Sequence, residues 1–387
     1  MAKVTLSVIK ADIGGFVGHG QVHPATMDRC RECLTDAQAR RQILDFHVSS
    51  VGDDINLIMT HERGVDSAAI HELAWDTFVA ATEVAKELHL YGAGQDLLAD
   101  AFSGNIRGLG PGVAEMEFEE RPSDPIIVFM ADKTEPGAFN LPLYRIFADP
   151  FNSIGLVIDT KMHEGFSFEV HDLIESRKIL FHCPEDLYSM LMFIGSPAFN
   201  VIKSVYLRAT GEIAAAGTTT RLSMIAGRYV GKDDPTLVVR CQSGLPAVGE
   251  VLEAFANPHY VAGWMRGSSC GPLTPVAQRD AHPSRFDGPP RVVALGFQLA
   301  NGKLIGPRDM FDDVSFDGAR AMANDMAYHM RRQGPFEPAR LPMDEMEYTT
   351  MPQIMKKLGD RFEPIDGEAR EEILAGAASA AEASLID

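Results

Sequence analysis

The stretch that decides the fold begins at Val4 and reads Val-Thr-Leu-Ser-Val-Ile-Lys-Ala-Asp-Ile-Gly-Gly, ending at Gly15. Val4, Leu6 and Val8 alternate with residues of the opposite face, which is the period of a half-buried β-strand. The apolar run stops at Asp12, just before the two glycines that favour a turn. An apolar strand that stops at an aspartate recurs along the chain and guides the rest of the prediction.

Further strands and helices follow from the same periodicity. Helical spacing of apolar residues predicts helices over 67–89, with Asp66 or Ser67 as the cap, and over 316–332. Because the strands come in consecutive groups with helices between the groups, antiparallel or mixed sheets with helices on their outer faces are favoured. The other predicted strands lie at 46–50, 55–59, 126–130, 166–170 and 292–299.

Composition narrows the function classes. The chain has 387 residues and a formal charge of −19, from 54 acidic and 35 basic residues. Such a charge repels nucleic acid and anionic membranes but is compatible with a site that gathers metal cations. Five irregularly spaced cysteines do not suggest a disulfide framework. There is no signal-like N-terminus and no apolar run of about 18 residues, so we expect a cytoplasmic protein without a membrane span.

The domain organisation is predicted to be simple. No Gly/Ser-rich linker divides the chain and no internal repeat is visible, which favours one catalytic domain over 1–366. Residues 367–387 are rich in alanine and are expected to form a peripheral helix or a frayed tail.

The segment from Tyr229 to Asp234 places two kinds of chemistry side by side. Lys232 carries an amine that could form a Schiff base with a ketone, and Asp233 and Asp234 are carboxylates that could hold divalent cations on phosphate. The two uses conflict, because adjacent carboxylates stabilise the ammonium form of the lysine. The alternative for this segment alone is an exposed polar turn between two strands.

Four aspartates share one feature, since each lies where an apolar strand stops. They are Asp12, Asp53, Asp54 and Asp132. If the strands are neighbours, the carboxylates converge and would repel one another unless cations lay between them. His19 and Gln95, both beside glycines, could add further ligands. Oxygen ligands favour Mg²⁺ or Mn²⁺, although imidazole suits softer metals. Any one of these acids could instead serve only as a turn or cap residue.

Other residues could bind phosphate. The glycine-rich stretch 103–112 is neither a Walker A loop nor a dinucleotide fingerprint, but its backbone N–H groups could face an anion. Lys133 follows Asp132, and Arg266 has the planar donor geometry that suits phosphate. The alternatives are a tight surface loop for the glycines and ordinary ion pairs for the two basic residues.

Several motifs in order identify a resemblance that extends from Lys3 to about Pro364. The chain resembles the bifunctional fructose-1,6-bisphosphate aldolase/phosphatase family of archaea and deep-branching bacteria. The matching segments are 10–15 with His19, 52–54, 91–96, 103–112, 131–137, 229–234, 286–290 and Tyr348.

The resemblance implies an α+β fold, a single-domain four-layer α-β-β-α sandwich with mixed or antiparallel sheets, assembled as a homo-octamer. It also implies two steps at one site. Dihydroxyacetone phosphate and glyceraldehyde 3-phosphate condense to fructose 1,6-bisphosphate, and the C1 phosphate is then hydrolysed to give fructose 6-phosphate. Several Mg²⁺ ions per site would be needed.

The resemblance assigns roles to individual residues. Lys232 would form the Schiff base and Tyr229 would donate and accept the proton. The segment would rearrange between the reactions, so that Lys232 withdraws while Asp233 and Tyr348 enter. The implied metal ligands are Asp12, His19, Asp53, Asp54, Gln95, Asp132, Asp233 and Asp234. The implied substrate contacts are His19, Tyr91, Gly104, Asn105, Lys133, Gln242, Ser243, Arg266, Asp287 and Tyr348.

One departure and two rival functions accompany this prediction. After Ser268 the family pattern leads one to expect a histidine, whereas this chain has Ser269 and Cys270. The first rival is a Mg²⁺-dependent sugar-bisphosphate phosphatase without aldolase activity, which needs the acids but not Lys232. The second is a non-catalytic protein that binds metal and sugar phosphate, which predicts binding without turnover.

Overall fold

The computed structural model describes residues 3–97, 110–218, 220–221, 233–282, 285, 288–334, 336, 338–343, 345–346 and 349–362. The chain divides into two compact units, 1–348 and 349–387. In the second unit the described residues form a helix, Met351–Leu358, followed by a 3₁₀ turn, Gly359–Arg361. All elements named below belong to the first unit. The domain limits at 366 and 367 stay a prediction.

The strands of the first unit are short to medium in length. In chain order they are β1 Lys3–Asp12, β2 Asp45–Val51, β3 Asp54–His61, β4 Gly112–Glu119, β5 Asp124–Asp132, β6 Phe166–Asp172, β7 Arg177–Cys183, β8 Asn200–Leu207, β9 Ile213–Gly217, β10 Thr220–Arg221, β11 Thr236–Arg240, β12 Tyr260–Gly263, β13 Ser269–Pro272, β14 Thr274–Pro275, β15 Arg291–Ala300 and β16 Lys303–Asp309.

The helices of this unit are fewer than its strands among the described residues. They are α1 Pro24–Ala39, α2 Ala68–Glu87, α3 Asn140–Phe147, α4 Gly155–Ile158, α5 Leu187–Ile194, α6 Val248–Glu253, α7 Trp264–Gly267 and α8 Asp317–Arg332. No helix within the described part of the chain has the length and apolar character that crossing a membrane requires.

Two sheets carry the fold. Sheet 1 has five strands in the order β10-β4-β1-β3-β2, and sheet 2 has nine strands that run β14-β15-β5-β11-β9-β8-β6-β7, with β16 beside β15. The pairings in sheet 1 are antiparallel, and in sheet 2 the pair β14–β15 is parallel. The α+β class and the mixed and antiparallel sheets predicted from the sequence are therefore confirmed.

Three apolar cores explain the layering. One core joins the facing sides of the two sheets and contains Leu6 and Val8 of sheet 1 with Val128 and Val238 of sheet 2. A second packs the outer side of sheet 1 against α1 and α2. A third packs the outer side of sheet 2 against helices that include α3 and α5. The result is an order of helices, sheet, sheet and helices, because each sheet buries both of its faces.

The periodic segments agree with their predictions. The strand that starts near Val4 spans β1, and the helix predicted over 316–332 is α8. Ser67 occupies the N-cap position of α2, but its side chain makes no capping hydrogen bond. Cys30 and Cys33 are free cysteines on α1.

Candidate active site

Strand ends bring the predicted acids together. Asp12 ends β1 and lies opposite Asp54, the first residue of β3, in the antiparallel register. Asp132 ends β5, and β11 pairs with β5 so that Thr236 lies opposite Met130. Continuing that register places Asp234 across from Asp132. The carboxylates of both sheets therefore meet at one edge of the sandwich.

Gly52 allows this meeting. It lies in the tight turn between β2 and β3 and has a φ of +58°, a conformation that costs glycine little. A Cβ atom at this position would lie 2.0 Å from Oδ1 of Asp132. The turn therefore needs glycine both for its backbone conformation and for the close approach of the Asp132 carboxylate.

The first carboxylate group consists of Asp12, His19 and Asp53. One ligand atom from each lies within 4.8 Å of the others. His19 Nδ1 lies 2.6 Å from Oδ2 of Asp53, and Asp12 accepts the N–H of Gly14 at 2.9 Å. Burial and the neighbouring carboxylates raise the pKa of Asp12 well above its usual value. These three side chains therefore bring oxygen and nitrogen ligand atoms close together.

The loop that carries Gln95 closes over this group. Gly15 and Tyr91 exchange both backbone hydrogen bonds at 3.0 Å, which fixes the 91–96 loop beside His19. The rings of Tyr91 and His19 meet edge to face at 4.6 Å. A Cβ atom built on Gly92 would lie 3.2 Å from Oε1 of Gln95 and 4.0 Å from Cε1 of His19. The structure therefore brings Tyr91, His19 and Gln95 together as predicted partners of one site.

The second carboxylate group consists of Asp54, Asp132 and Asp234. Their ligand atoms also lie within 4.8 Å of one another. Asp234 is held on the backbone of Thr134, because its Oδ1 accepts the Thr134 N–H at 2.7 Å and its own N–H donates to Thr134 O at 2.9 Å. Burial, followed by the charges of Asp54 and Asp132, raises the pKa of Asp234 well above its usual value, against the effect of Lys10.

Lys133 lies between the two groups. Its ammonium donates to Oδ1 of Asp53 and to Oδ1 of Asp132, both at 2.9 Å. Burial alone would raise the pKa of Asp53 and lower that of Lys133, but their attraction lowers the first and raises the second. Burial raises the pKa of Asp132 to about 6. The charges of Asp53 and Asp54 act in the same direction, whereas Lys133, which Asp132 shares with Asp53, acts to lower this pKa.

The donor set fits bound metal cations. Five aspartates of the two groups, four of them buried and Asp234 half-buried, face two lysine ammoniums, those of Lys10 and Lys133. Oδ2 of Asp132 is buried and has no hydrogen-bond partner. Buried carboxylates normally have hydrogen-bond partners, a paired cation or a metal. Clustered acids with an orphaned carboxylate oxygen therefore match sites that hold hard divalent cations.

Arg266 lies in a strained turn beside Lys133. Met265 and Arg266 both have left-handed backbone angles, and Gly263 also has a positive φ. A Cβ atom on Gly263 would lie 2.7 Å from Cα of Thr134 and 3.0 Å from the carbonyl oxygen of Lys133. The turn therefore packs on the Lys133–Thr134 backbone, and the side chain of Arg266 is exposed.

Ser269 and Cys270 follow this turn and start β13. Ser269 is buried, and the N–H of Cys270 donates to the carbonyl of Ala339 at 3.0 Å. Burial raises the pKa of the Cys270 thiol to about 11, and Glu135 and Glu345 add to the effect. The thiol is therefore protonated at neutral pH, so it does not reproduce the basic nitrogen that the expected histidine would offer.

Two predicted substrate contacts are not brought to the carboxylates. Gln242 and Ser243 are exposed and follow β11, whereas Asp234 precedes it. Gln242 follows Asp234 by eight positions, which at 3.3 Å per residue of strand spans up to about 26 Å. Within this chain the described residues give Gln242 and Ser243 no contact with either carboxylate group. Their role in substrate binding stays a prediction.

Some predicted residues lie outside the described part of the chain. Asp233 is described, and its carbonyl accepts a hydrogen bond from Lys10 at 3.1 Å. The alanine-rich tail 367–387 and most of the glycine-rich stretch 103–112 are not described. The site residues outside the described part are Gly104, Asn105, Tyr229, Lys232, Asp287 and Tyr348.

Three residues with clear roles in the geometry were not assigned a role from the sequence. Lys10 is a buried lysine on β1, and Thr134 supplies the backbone that holds Asp234. Asp96 accepts the N–H of Asp12 at 2.9 Å and donates its own N–H to the carbonyl of Asp12 at 3.0 Å. A signal existed for Lys10, since it continues the alternate positions of the apolar face of β1.

Comparison with known proteins is consistent with this geometry. The sequence model of a protein family described as fructose-1,6-bisphosphatase matches residues 3–363. A Moorella thermoacetica protein named fructose-1,6-bisphosphate aldolase/phosphatase is 64% identical over 364 residues, which are 94% of this chain and 95% of that protein. Proteins with the same name from Ignicoccus hospitalis and Methanothermobacter marburgensis are 61% and 59% identical over 94% of this chain, covering 94% and 100% of their own lengths.

Proposed function

The chain belongs to this fructose-1,6-bisphosphatase family, and on that premise we propose that it catalyses two consecutive gluconeogenic steps. The first is the Schiff-base aldol condensation of dihydroxyacetone phosphate and glyceraldehyde 3-phosphate to fructose 1,6-bisphosphate. The second is the metal-dependent hydrolysis of the C1 phosphate to give fructose 6-phosphate. The observation that carries the hydrolytic step is the pair of carboxylate groups joined by Lys133.

The proposed cofactor is Mg²⁺, with several ions per site. The ligands would be Asp12, His19, Asp53, Asp54, Gln95, Asp132, Asp233 and Asp234. Oxygen donors predominate in this set, and hard divalent cations prefer oxygen. When bound, such ions supply Lewis-acid activation of the phosphoryl group and of the attacking water.

The side chains of the protein would position the bisphosphate. Lys133 pairs with carboxylates of both groups, and a phosphate held by Lys133 and Arg266 would be bound by charge-assisted hydrogen bonds. The planar guanidinium of Arg266 suits two phosphate oxygens, whereas the Lys133 ammonium acts as a point charge. His19 and Tyr91 would face the sugar from the adjacent loop.

The aldol step is proposed from the sequence resemblance. The neutral amine of Lys232 would attack C2 of dihydroxyacetone phosphate, and loss of water would give the protonated Schiff base. That cation withdraws electrons, so Tyr229 could remove a proton from C3 and create the carbon nucleophile for glyceraldehyde 3-phosphate. The remaining proposed substrate contacts are Gly104, Asn105, Gln242, Ser243, Asp287 and Tyr348.

Phosphate release from two substrates tests both activities. Wild type and Lys232→Arg are each given either the two triose phosphates or fructose 1,6-bisphosphate, with Mg²⁺ present. We expect Lys232→Arg to lose release from the trioses while it keeps at least part of the release from the bisphosphate. Release from the bisphosphate alone, in both proteins, would instead mean a phosphatase without aldolase activity.

Borohydride trapping adds a direct chemical test of the amine. Only a Schiff base is reduced to a stable adduct, so wild type incubated with dihydroxyacetone phosphate should gain the mass of the reduced adduct on residue 232. Lys232→Arg is the matched control and should gain none. Wild type without an adduct would remove the aldolase half of the proposal.

Assembly and location complete the proposal. The substrates are small sugar phosphates, as the names of the relatives indicate for those proteins. A homo-octamer and a cytoplasmic location are proposed from the family resemblance and from the composition. Light scattering at micromolar concentration would test the octamer.

A further inference from the structure

Lys10 is a lysine in an apolar layer. It is 1% exposed and belongs to β1, where Val4, Leu6 and Val8 face sheet 2. Because side chains of a strand alternate between its faces, Lys10 continues this face and points between the two sheets. Burying an ammonium there is costly unless oxygens surround it. The position therefore requires an explanation that packing alone does not provide.

Among the described residues, three oxygens from two different segments accept hydrogen bonds from the Lys10 ammonium. Its Nζ donates to Oδ2 of Asp54 at 2.5 Å, to the carbonyl of Asp233 at 3.1 Å and to the carbonyl of Asp234 at 2.9 Å. An ammonium has three N–H donors, so it can donate to oxygens of both segments at once. Lys10 thus connects a carboxylate of sheet 1 to the backbone that leads into β11 of sheet 2.

The backbone at Asp234 is held from two sides. Asp234 has a φ of +50°, which is uncommon for a residue with a side chain. Thr134 binds its N–H and its carboxylate, while Lys10 binds its carbonyl. Both contacts oppose relaxation of this conformation. Asp54 and Asp234 are two members of the second carboxylate group, so Lys10 controls the distance between two proposed metal ligands.

We propose that Lys10 is a positioning residue that fixes Asp54 against the Asp233–Asp234 backbone and so shapes the second carboxylate group for a divalent cation. The inference rests on the proposed metal-dependent hydrolysis. Charge and geometry make opposite predictions for its removal. Loss of a positive charge alone would strengthen cation binding, whereas loss of the three-oxygen contact would weaken it.

Manganese binding separates these effects without relying on turnover. Free Mn²⁺ is measured by electron paramagnetic resonance in titrations of wild type, Lys10→Met and Lys10→Arg. We expect Lys10→Met to bind Mn²⁺ about tenfold more weakly, as for loss of a partner that orients a ligand. Lys10→Arg restores the charge but not the compact ammonium, so it should also bind more weakly than wild type.

Controls distinguish positioning from folding and from failure of the proposed function. Lys3→Met removes an exposed lysine of the same strand that pairs with Glu117, and it should bind Mn²⁺ like wild type. Circular dichroism checks that each variant is folded. If Lys10→Met does not fold, the Mn²⁺ affinity of Lys10→Arg is compared with that of Lys3→Arg instead. For fructose 1,6-bisphosphate we expect kcat to fall at least tenfold in Lys10→Met with little change in KM.

The outcomes are separable. Unchanged or tighter Mn²⁺ binding in folded Lys10→Met would overturn the proposal, whatever happens to kcat. Full recovery of Mn²⁺ affinity in Lys10→Arg would overturn the requirement for a compact ammonium, because a guanidinium would then hold the same oxygens. If wild type hydrolyses no bisphosphate, the proposed function fails, but the Mn²⁺ comparison still decides the role of Lys10.

Discussion

The two ends of β11 are both held by cations, yet they differ in what those cations pair with. At the beginning of the strand, Lys10 pairs with Asp54, a member of the second carboxylate group, and with the carbonyls of Asp233 and Asp234. At the end of the strand, Arg121 donates to the carbonyls of Cys241 and Gln242. Each cation thus fixes two carbonyls at the point where the strand meets a turn.

The two ends of β11 differ in the carboxylates that balance the charge of each cation. Arg121 pairs at 2.6 Å with Asp124, which also accepts from Arg240 at 2.9 Å. Asp124 is completely buried and is not among the proposed metal ligands. The charge at this end is therefore balanced locally. At the other end the charge of Lys10 is shared with proposed metal ligands, so changes there should alter cation binding as well as structure.

The largest effect is expected from Asp234→Asn. Asparagine keeps the oxygen that accepts the Thr134 N–H and the backbone bound by Lys10, but it removes one negative charge from the second carboxylate group. The rate of fructose 1,6-bisphosphate hydrolysis should fall at least about 100-fold. That is the upper end of the loss seen when a residue that only orients a metal ligand is removed. Initial rates at saturating Mg²⁺ measure this loss.

A matched variant controls for the amide itself. Asp313 accepts the N–H of Ser315 at 2.8 Å at the start of a 3₁₀ turn, so Asp313→Asn makes the same change with a similar hydrogen bond. Its hydrolysis rate should equal that of wild type. Equal rates in Asp234→Asn and wild type would remove Asp234 from the proposed ligands and erase the contrast between the strand ends.

Arg121→Met should have a smaller effect of a different kind. It removes the hydrogen bonds to Cys241 and Gln242 and one of the two cations on Asp124. We expect the free energy of unfolding to fall by about 1–3 kcal/mol, because polar groups that remain buried lose partners. Affinity for Mn²⁺ should stay within twofold of wild type, since Asp124 and Arg240 still balance each other.

Urea unfolding and the Mn²⁺ titration together decide this prediction. Arg29→Met removes an exposed cation that pairs with Glu32 on α1, and it should leave both quantities nearly unchanged. A clear loss of Mn²⁺ affinity in Arg121→Met would mean that the two strand ends are coupled, and their separation into a metal end and a structural end would then be wrong.

Local periodicity made much of the fold predictable. β1 and α8 follow from apolar spacing, because alternation and helical spacing are properties of the sequence itself. The neighbours in sheet 2 could not be predicted, since β5 lies between β11 and β15, which come far later in the chain. β9 also gave no signal, because its sequence Ile-Ala-Ala-Ala-Gly has a single β-branched residue, Ile213.

The positions of the aspartates in the site could be predicted from the sequence pattern, but the backbone conformation of the site could not. Each of the four aspartates follows an apolar run, and neighbouring strands end together at one edge of the sandwich. Positive φ angles depend on tertiary contacts, so they left no sequence signal. Among described non-glycine residues, half of those with positive φ belong to the predicted site, namely His19, Lys133, Asp234, Gln242, Ser243 and Arg266.

The smallest predicted effect is a pH dependence of stability that involves neither end of β11. Burial lowers the pKa of His61 to about 4. His61 Nδ1 accepts the Arg63 N–H at 3.2 Å, so its Nε2–H donates to Ser7 Oγ at 2.8 Å, and the Ser7 hydroxyl donates to Glu115 at 2.6 Å. A proton on Nδ1 would break the first of these contacts. The native state therefore holds His61 neutral.

The sign of the pH effect follows from this lowered pKa. Between pH 6.5 and about 4 the unfolded chain binds the His61 proton and the folded chain does not, so stability falls as the pH decreases through this window. The contribution lost between pH 7 and 5.5 is about 1 kcal/mol. Urea unfolding at both pH values should show a drop that is smaller by this amount in His61→Gln, and unchanged in the exposed His163→Gln. Because Arg121 and His61 share no contact, the decrease in the free energy of unfolding between the two pH values should be the same in Arg121→Met as in wild type. A different decrease would show that the pH effect reaches the structural end of β11. The two ends would then have to be compared at one pH.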